Sequence, residues 1–168
     1  MNRIARLLRH RWLDEDDTRR ALGPQALARI EERVRASERK HSGEIRVCVE
    51  AGLPLGYLWR DLGARERALS LFGKLRVWDT ERNNGVLIYL LLAEHRIEIV
   101  ADRGVDRVAG AAEWHRIVQG MSAAFKERHF EAGLNAAIDA VDALLCEHFA
   151  LAPGQADRNE LPDAPSLG

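Results

Sequence analysis

Seven apolar residues in unbroken succession, Val86-Leu87-Ile88-Tyr89-Leu90-Leu91-Leu92, follow Gly85. A strand wetted on one side alternates polar and apolar side chains. A run this uniform therefore predicts a strand covered on both faces, at the centre of a sheet. With Ala93 the run reaches eight residues, far below the roughly 18 to 20 that a membrane-crossing helix needs. A chain built around such a strand must supply layers for both of its faces.

The flanking segments supply the partners. Glu44-Ile45-Arg46-Val47-Cys48-Val49-Glu50 and Arg96-Ile97-Glu98-Ile99-Val100-Ala101-Asp102 both alternate, each predicting a strand with one buried face. Glu94-His95 fits a tight hairpin loop that sets Ala93 opposite Arg96 and Asp102 opposite Leu87. Helical spacing predicts helices over about 24–41, 58–75, 111–127 and 130–149; in the last, Leu134, Ile138, Val141, Leu144 and Leu145 share one face. The order helix, strand, helix, strand, strand, helix, helix, with a right-handed parallel crossover from the first strand to the second, describes a small α/β sandwich with a mixed sheet, a β-hairpin and two C-terminal helices. No internal repeat of 20 to 50 residues argues for a solenoid or propeller.

The ends read differently from the body. Residues 1–13 carry Arg3, Arg6, Arg9 and Arg11 without an acid, while Ile4, Leu7, Leu8 and Trp12 recur at helical spacing. This is a short basic amphipathic helix. Lying against an anionic membrane, each basic residue would contribute about 1 kcal/mol. Docking on its own domain is the favoured reading, because one short helix seldom anchors stably. Arg6 and Arg9 interrupt the apolar stretch that an export signal needs, so a cytoplasmic location is expected, at most peripheral to the inner membrane. Residues 151–168 hold three of the five prolines and show no apolar periodicity, predicting a disordered tail. The division is thus a helical extension over 1–23, an α/β domain over 24–150 and a tail over 151–168.

Composition narrows function mainly by exclusion. Twenty-five basic against 26 acidic residues give a formal net charge of -1, without the field of a dedicated nucleic-acid binder, so no nucleic-acid partner is expected. Cys48 and Cys146 lie far apart and form no C-x-x-C pair, reading as reduced core residues. No two of the six histidines stand at the i, i+4 spacing by which one helix face grips zinc. Asp14-Glu15-Asp16-Asp17-Thr18 matches the D-x-D-x-T pattern of aspartate-nucleophile phosphatases. That chemistry needs a preceding strand to aim the first carboxylate, and Arg9-His10-Arg11-Trp12-Leu13 is not one. The stretch reads as an acidic helix start. No P-loop, G-x-G-x-x-G or G-x-S-x-G occurs.

The strand pairing suggests one constellation. The first strand, parallel to the central one, begins at the edge where the third ends, and the loop Asp79-Thr80-Glu81-Arg82-Asn83-Asn84 arrives there too. Glu44, Asp79, Glu81, Asp102 and Asp106 can converge with oxygen ligands alone, the set a hard cation such as Ca²⁺ prefers. The favoured reading pairs these acids with Arg46, Arg82, Arg103 and Arg107 or makes them helix caps, since charged loops are common.

Several separated blocks carry a family likeness: Ser42-Gly43-Glu44-Ile45-Arg46-Val47, Thr80 to Tyr89, Ile97 to Val105, Trp114, and the closing helix from Leu144 to Phe149. In their order and spacing, over about residues 24–150, they resemble the TPM-domain family of thylakoid, photosystem-repair and receptor-accessory proteins. The resemblance implies a Rossmann-like three-layer α/β/α sandwich. It also implies a divalent metal, commonly calcium, a weak acid-phosphatase activity, and a part in membrane-protein repair or assembly; of the acids that the strand pairing brings together, Glu44, Asp79, Asp102 and Asp106 are the expected ligands. A soluble bacterial branch of the family accompanies a membrane-bound TPM protein and a LemA-like protein, which are the partners it implies here. The expected function is a noncatalytic binding module. The alternatives are a metal-assisted phosphomonoester hydrolase, with Arg103 stabilising phosphate charge, and a structural partner anchored by Trp59 or Trp78.

Overall fold

The computed structural model describes residues 6–8, 10, 15–152, 154–155 and 159–168. In chain order the elements are α1 (Glu15–Glu38), β1 (Glu44–Glu50), α2 (Leu55–Trp59), α3 (Ala64–Lys74), β2 (Gly85–Leu91), β3 (Arg96–Ala101), α4 (Arg103–Lys126), α5 (Phe130–Phe149) and β4 (Ser166–Leu167). Among the described residues they build one four-stranded sheet in the order β3-β2-β1-β4. β1 runs parallel to β2 and to β4, and β3 returns antiparallel to β2.

The uniform apolar strand is central, as its composition requires. Val86, Ile88 and Leu90 join Ile45, Val47, Val49, Ile97 and Ile99 in a core beneath α1, α4 and α5. Leu87, Tyr89 and Leu91 point the other way, toward Cys48, Val100 and the apolar residues of α2 and α3. The result is a small α/β sandwich with a mixed sheet.

Four local features depart from the sequence expectations. The expected helix over 58–75 is two helices, α2 and α3, parted where Asp61 takes a left-handed φ of 55°. Gly63 then opens α3 by donating its amide to the Glu66 carboxylate at 2.8 Å. α4 begins at Arg103, eight residues before the expected start, with a kink at Gly110 (φ 68°). α1 kinks likewise at Gly23 (φ 71°), just before Pro24. The hairpin closes through a short helical turn, Leu92–Glu94, with His95 at φ 50°, so that Leu91 and not Ala93 faces Arg96. The register moves by two residues, and a shift of two leaves every side chain on its expected face. Asp102 consequently adjoins Gly85 rather than Leu87, its amide bonding the Gly85 carbonyl at 2.8 Å.

The larger correction concerns the C-terminal segment, expected to be disordered. Residues 159–168 lie along β1: Cys48 pairs with Ser166 and Val49 with Leu167, and Leu161 is buried. This explains why β1 is buried on both faces despite its alternation. Its polar side is occupied by main chain that its side chains recognise. Glu44 accepts the amides of Glu160 and Leu161, each at 3.1 Å, and Arg46 donates to the carbonyls of Pro162 and Ala164. Composition hid this, because prolines cannot donate ladder hydrogen bonds but present carbonyls freely.

At the N-terminus, Arg3, Ile4, Arg9, Arg11, Trp12 and Asp14 lie outside the described residues. Those that are described dock on the domain. Arg6 donates to Glu94 at 2.8 Å and to the Leu62 carbonyl at 2.8 Å, and His10 contacts Glu94 at 3.1 Å and accepts the Leu53 amide at 2.9 Å. No helix among the described residues is long and apolar enough to cross a membrane.

Candidate functional site

The end of the sheet where β1 and β2 begin and β3 finishes is where the expected site lies. Glu44 is in register with Gly85, and Asp102 adjoins the same Gly85 from the other side. The loop 80–84 is held there from both directions. The Asn84 amide bonds Thr80 Oγ1 at 3.0 Å, and the Asn84 side-chain amide donates to the Ser42 carbonyl at 2.7 Å. Gly104, in the first turn of α4, sits so close that a Cβ would meet the Asn83 carbonyl at 2.5 Å, and its amide bonds that carbonyl at 2.9 Å.

The five acids are not equivalent. Glu44 is buried, with both oxygens engaged by the C-terminal segment. Asp79 is half-exposed and paired with Arg76, its neighbour in the turn. Glu81 is exposed, and its amide bonds the Glu160 carboxylate at 3.2 Å. Asp106 is exposed on α4 and gives its amide to the Asp102 carbonyl at 2.9 Å. Asp102 alone combines burial with spare capacity. Oδ1 caps α4 by accepting the Arg103 amide at 2.7 Å, whereas Oδ2 is buried without a hydrogen-bond partner. Asn84 Oδ1, on the adjoining loop, is buried and unpartnered as well. Of the arginines expected to pair with these acids, Arg46 donates to the C-terminal segment and Arg82 bonds Ser42 Oγ at 3.2 Å.

A buried carboxylate oxygen and a buried amide oxygen, each with an unused lone pair, are costly unless something donates to them or coordinates them. Both are hard donors, the kind that Ca²⁺ or Mg²⁺ takes and thiophilic metals do not favour. Asp102 and Asn84 thus fit a hard cation. Asp79 and Glu44 are committed elsewhere. Asn84 was legible only as a turn residue beside Gly85, since no sequence pattern announces an orphaned oxygen.

Next to this end lies a carboxyl cluster that the sequence gives no sign of. Glu38, in the last turn of α1, accepts the Ile45 amide at 2.8 Å. Burial, with Glu44 and Asp163 close by, pushes its carboxyl up to about 9. Asp163 in turn is held by Arg35 at 3.1 Å. Cys48, by contrast, is the inert core thiol that the sequence suggested, pushed up to about 12 by burial.

Comparison with known proteins bears on the whole domain. The sequence model described as TPM domain matches residues 16–144. Among solved structures, the NMR structure of the BA42 protein from the psychrophilic bacterium Bizionia argentinensis is similar at 28% identity and a TM-score of 0.76, covering 88% of this chain and 95% of its own. The N-terminal domain of a protein from P. gingivalis shares the fold at 21% identity and a TM-score of 0.63, over 78% of this chain and 82% of its own. A search of curated proteins finds no match.

Proposed function

Because this chain belongs to the TPM-domain family, we propose that it is a noncatalytic binding module whose sheet edge at Asp102 takes a hard divalent cation such as Ca²⁺. The observation that carries this reading is the pair of buried, unpartnered oxygens, Asp102 Oδ2 and Asn84 Oδ1. A cation held by Asp102 Oδ2 would satisfy that oxygen at the start of α4, a piece already joined to the 80–84 loop through Gly104 and Asn83. Asp102 would hold the ion through Oδ2 while Oδ1 keeps its place on the Arg103 amide. An accessory part in membrane-protein maintenance, beside a membrane-bound TPM-type or LemA-like protein, agrees with the exposure of Trp59 and Trp78, at 72% and 50%. Large exposed aromatic side chains commonly anchor protein contacts.

Calcium titration of chelator-stripped protein, followed by thermal unfolding, tests the reading. A ligand at one hundred times its dissociation constant stabilises by about 2.7 kcal/mol and raises the midpoint several degrees. The rise should saturate and vanish in Asp102→Ala. A midpoint indifferent to Ca²⁺ and Mg²⁺ sinks the cation reading. Turnover of a phosphate monoester that scales with protein and disappears in Asp102→Ala would replace binding by hydrolysis.

A further inference from the structure

A second cluster of ligating side chains lies away from the sheet edge, where the chain leaving α1 meets the last turns of α5. His41 is fully buried and bridges to Ala150. Asp142 and Cys146 stand one turn apart on α5, both partly exposed. His41 Nε2 lies 3.5 Å from Asp142 Oδ1, Cys146 Sγ lies 3.6 Å from the same oxygen, and the three donor atoms all fall within 4.8 Å of one another. Among the described residues this is the group of three such ligands that comes so close together.

We propose that His41, Asp142 and Cys146 form a binding site for a thiophilic divalent cation of the zinc type. A tetrahedral ion with ligands at about 2.0–2.3 Å spaces neighbouring donors roughly 3.3–3.8 Å apart, close to the separations from Asp142 Oδ1. One imidazole, one carboxylate and one thiolate are a borderline-soft set that selects Zn²⁺ over Ca²⁺ or Mg²⁺. The surroundings suit the role. Lys40 Nζ holds Asp142 Oδ2 at 2.8 Å, an outer contact that turns Oδ1 toward the histidine and the thiol. Ser37 Oγ, which donates to Oδ1 at 2.7 Å and meets His41 Nε2 at 2.9 Å, holds together the two donor atoms whose lone pairs the ion would take over from it. Ser37, Lys40 and Asp142 also line a groove of about 440 Å³ between α1 and α5, with Arg33 and Asn135 on its walls. The cluster therefore opens to solvent on the side of Asp142. The sequence holds Ser37-x-x-x-His41 across the end of α1 and Asp142-x-x-x-Cys146 on α5. Only their packing joins them.

The test uses full-length, reduced, chelator-stripped protein titrated with Co²⁺ as a spectroscopic stand-in for Zn²⁺. The expected result is saturation at one ion per chain, with visible bands of tetrahedral cobalt and a near-ultraviolet thiolate-to-cobalt band, all bleached by Zn²⁺ and not by millimolar Ca²⁺. Cys146→Ala should abolish the thiolate band, Cys48→Ala should leave it, and Asp142→Asn should weaken binding about 10- to 100-fold. Asp102→Ala should have no effect, which separates this site from the sheet edge. Alkylation of Cys146 by iodoacetamide, read by mass spectrometry in the unaltered protein, should slow at least tenfold with equimolar Zn²⁺. No saturable spectrum, a thiolate band that survives Cys146→Ala, or Cys146 labelling indifferent to Zn²⁺ would each overturn the site.

Discussion

The Glu44 carboxylate receives the backbone amide of Leu161 at 3.1 Å, so the first residue of one strand holds a segment 117 positions further along the chain. Its second oxygen takes the Glu160 amide. Glu44→Ala removes a charged acceptor and strands two amides, one of them buried. Leaving such groups unpaired costs about 1–3 kcal/mol. The expected outcome is a lower urea midpoint, with amide exchange at Leu161 and Gly168 accelerating before that of β2. Equal acceleration across β2 would mean that the segment is not held separately.

Stability should vary with pH through Glu38. Its carboxyl is raised from 4.5 to about 9 by burial and by Glu44 from β1 and Asp163 from the C-terminal segment. Asp163 is itself bonded by Arg35 and Asn159, and Arg46 is near enough to feel its charge. The folded protein keeps a proton that the unfolded chain loses. This contribution is therefore complete below pH 4.5 and is lost as pH rises toward 9. Chemical denaturation at pH 5, 7 and 9 should show the decline, and Glu38→Gln should flatten it. An unchanged slope in Glu38→Gln would assign the pH dependence elsewhere.

The acid limb belongs to Glu94, whose carboxyl is lowered to about 2 by hydrogen bonds from His10 and Arg6. Its contribution is present above pH 4.5 and is lost as pH falls toward 2. Because those partners sit in the N-terminal segment, limited proteolysis should release that segment first as the solution is acidified. In Glu94→Gln the segment should be released already at neutral pH.

At the other end of β1, on the face that Glu44 also occupies, Arg67 holds the buried Glu50 through a two-pronged pair, and Glu50 accepts the Tyr89 hydroxyl at 2.9 Å. Breaking a buried pair from one side costs about 3–5 kcal/mol, whereas replacing both charges with apolar residues of similar volume is often neutral. Arg67→Ala should therefore destabilise more than the double variant Arg67→Met with Glu50→Leu. Adding Tyr89→Phe should recover part of what the double variant loses, since its hydroxyl would otherwise lack an acceptor. Calorimetry of the three variants orders them.

Gly85 is fixed by its neighbour. A Cβ there would meet the Val77 carbonyl oxygen at 2.0 Å, and that atom belongs to backbone that cannot rotate away. Gly85→Ala should cost at the upper end of the roughly 1–3 kcal/mol of overpacking, measured as a shifted urea midpoint with an unchanged slope.

What the sequence determined by itself was local or periodic. An unbroken apolar run placed β2 at the centre because both faces had to be covered, and alternation located β1 and β3. Helical spacing located α5, and separated blocks in order carried the family. The place of Asp102 at the edge of the sheet was legible too, because pairing parity survives a two-residue change of hairpin register. What only the tertiary structure decided depended on contacts between distant segments. Proline-rich composition concealed the C-terminal segment, whose order comes from Glu44 and Arg46 bonding its main chain, an interaction indifferent to the side chains that composition counts. The same holds for the unpartnered oxygens of Asn84 and Asp102 and for His41 against Asp142 and Cys146. Each is an ordinary residue in its own element, and its chemistry arises only where packing leaves an oxygen unpaired or brings a third ligand within reach.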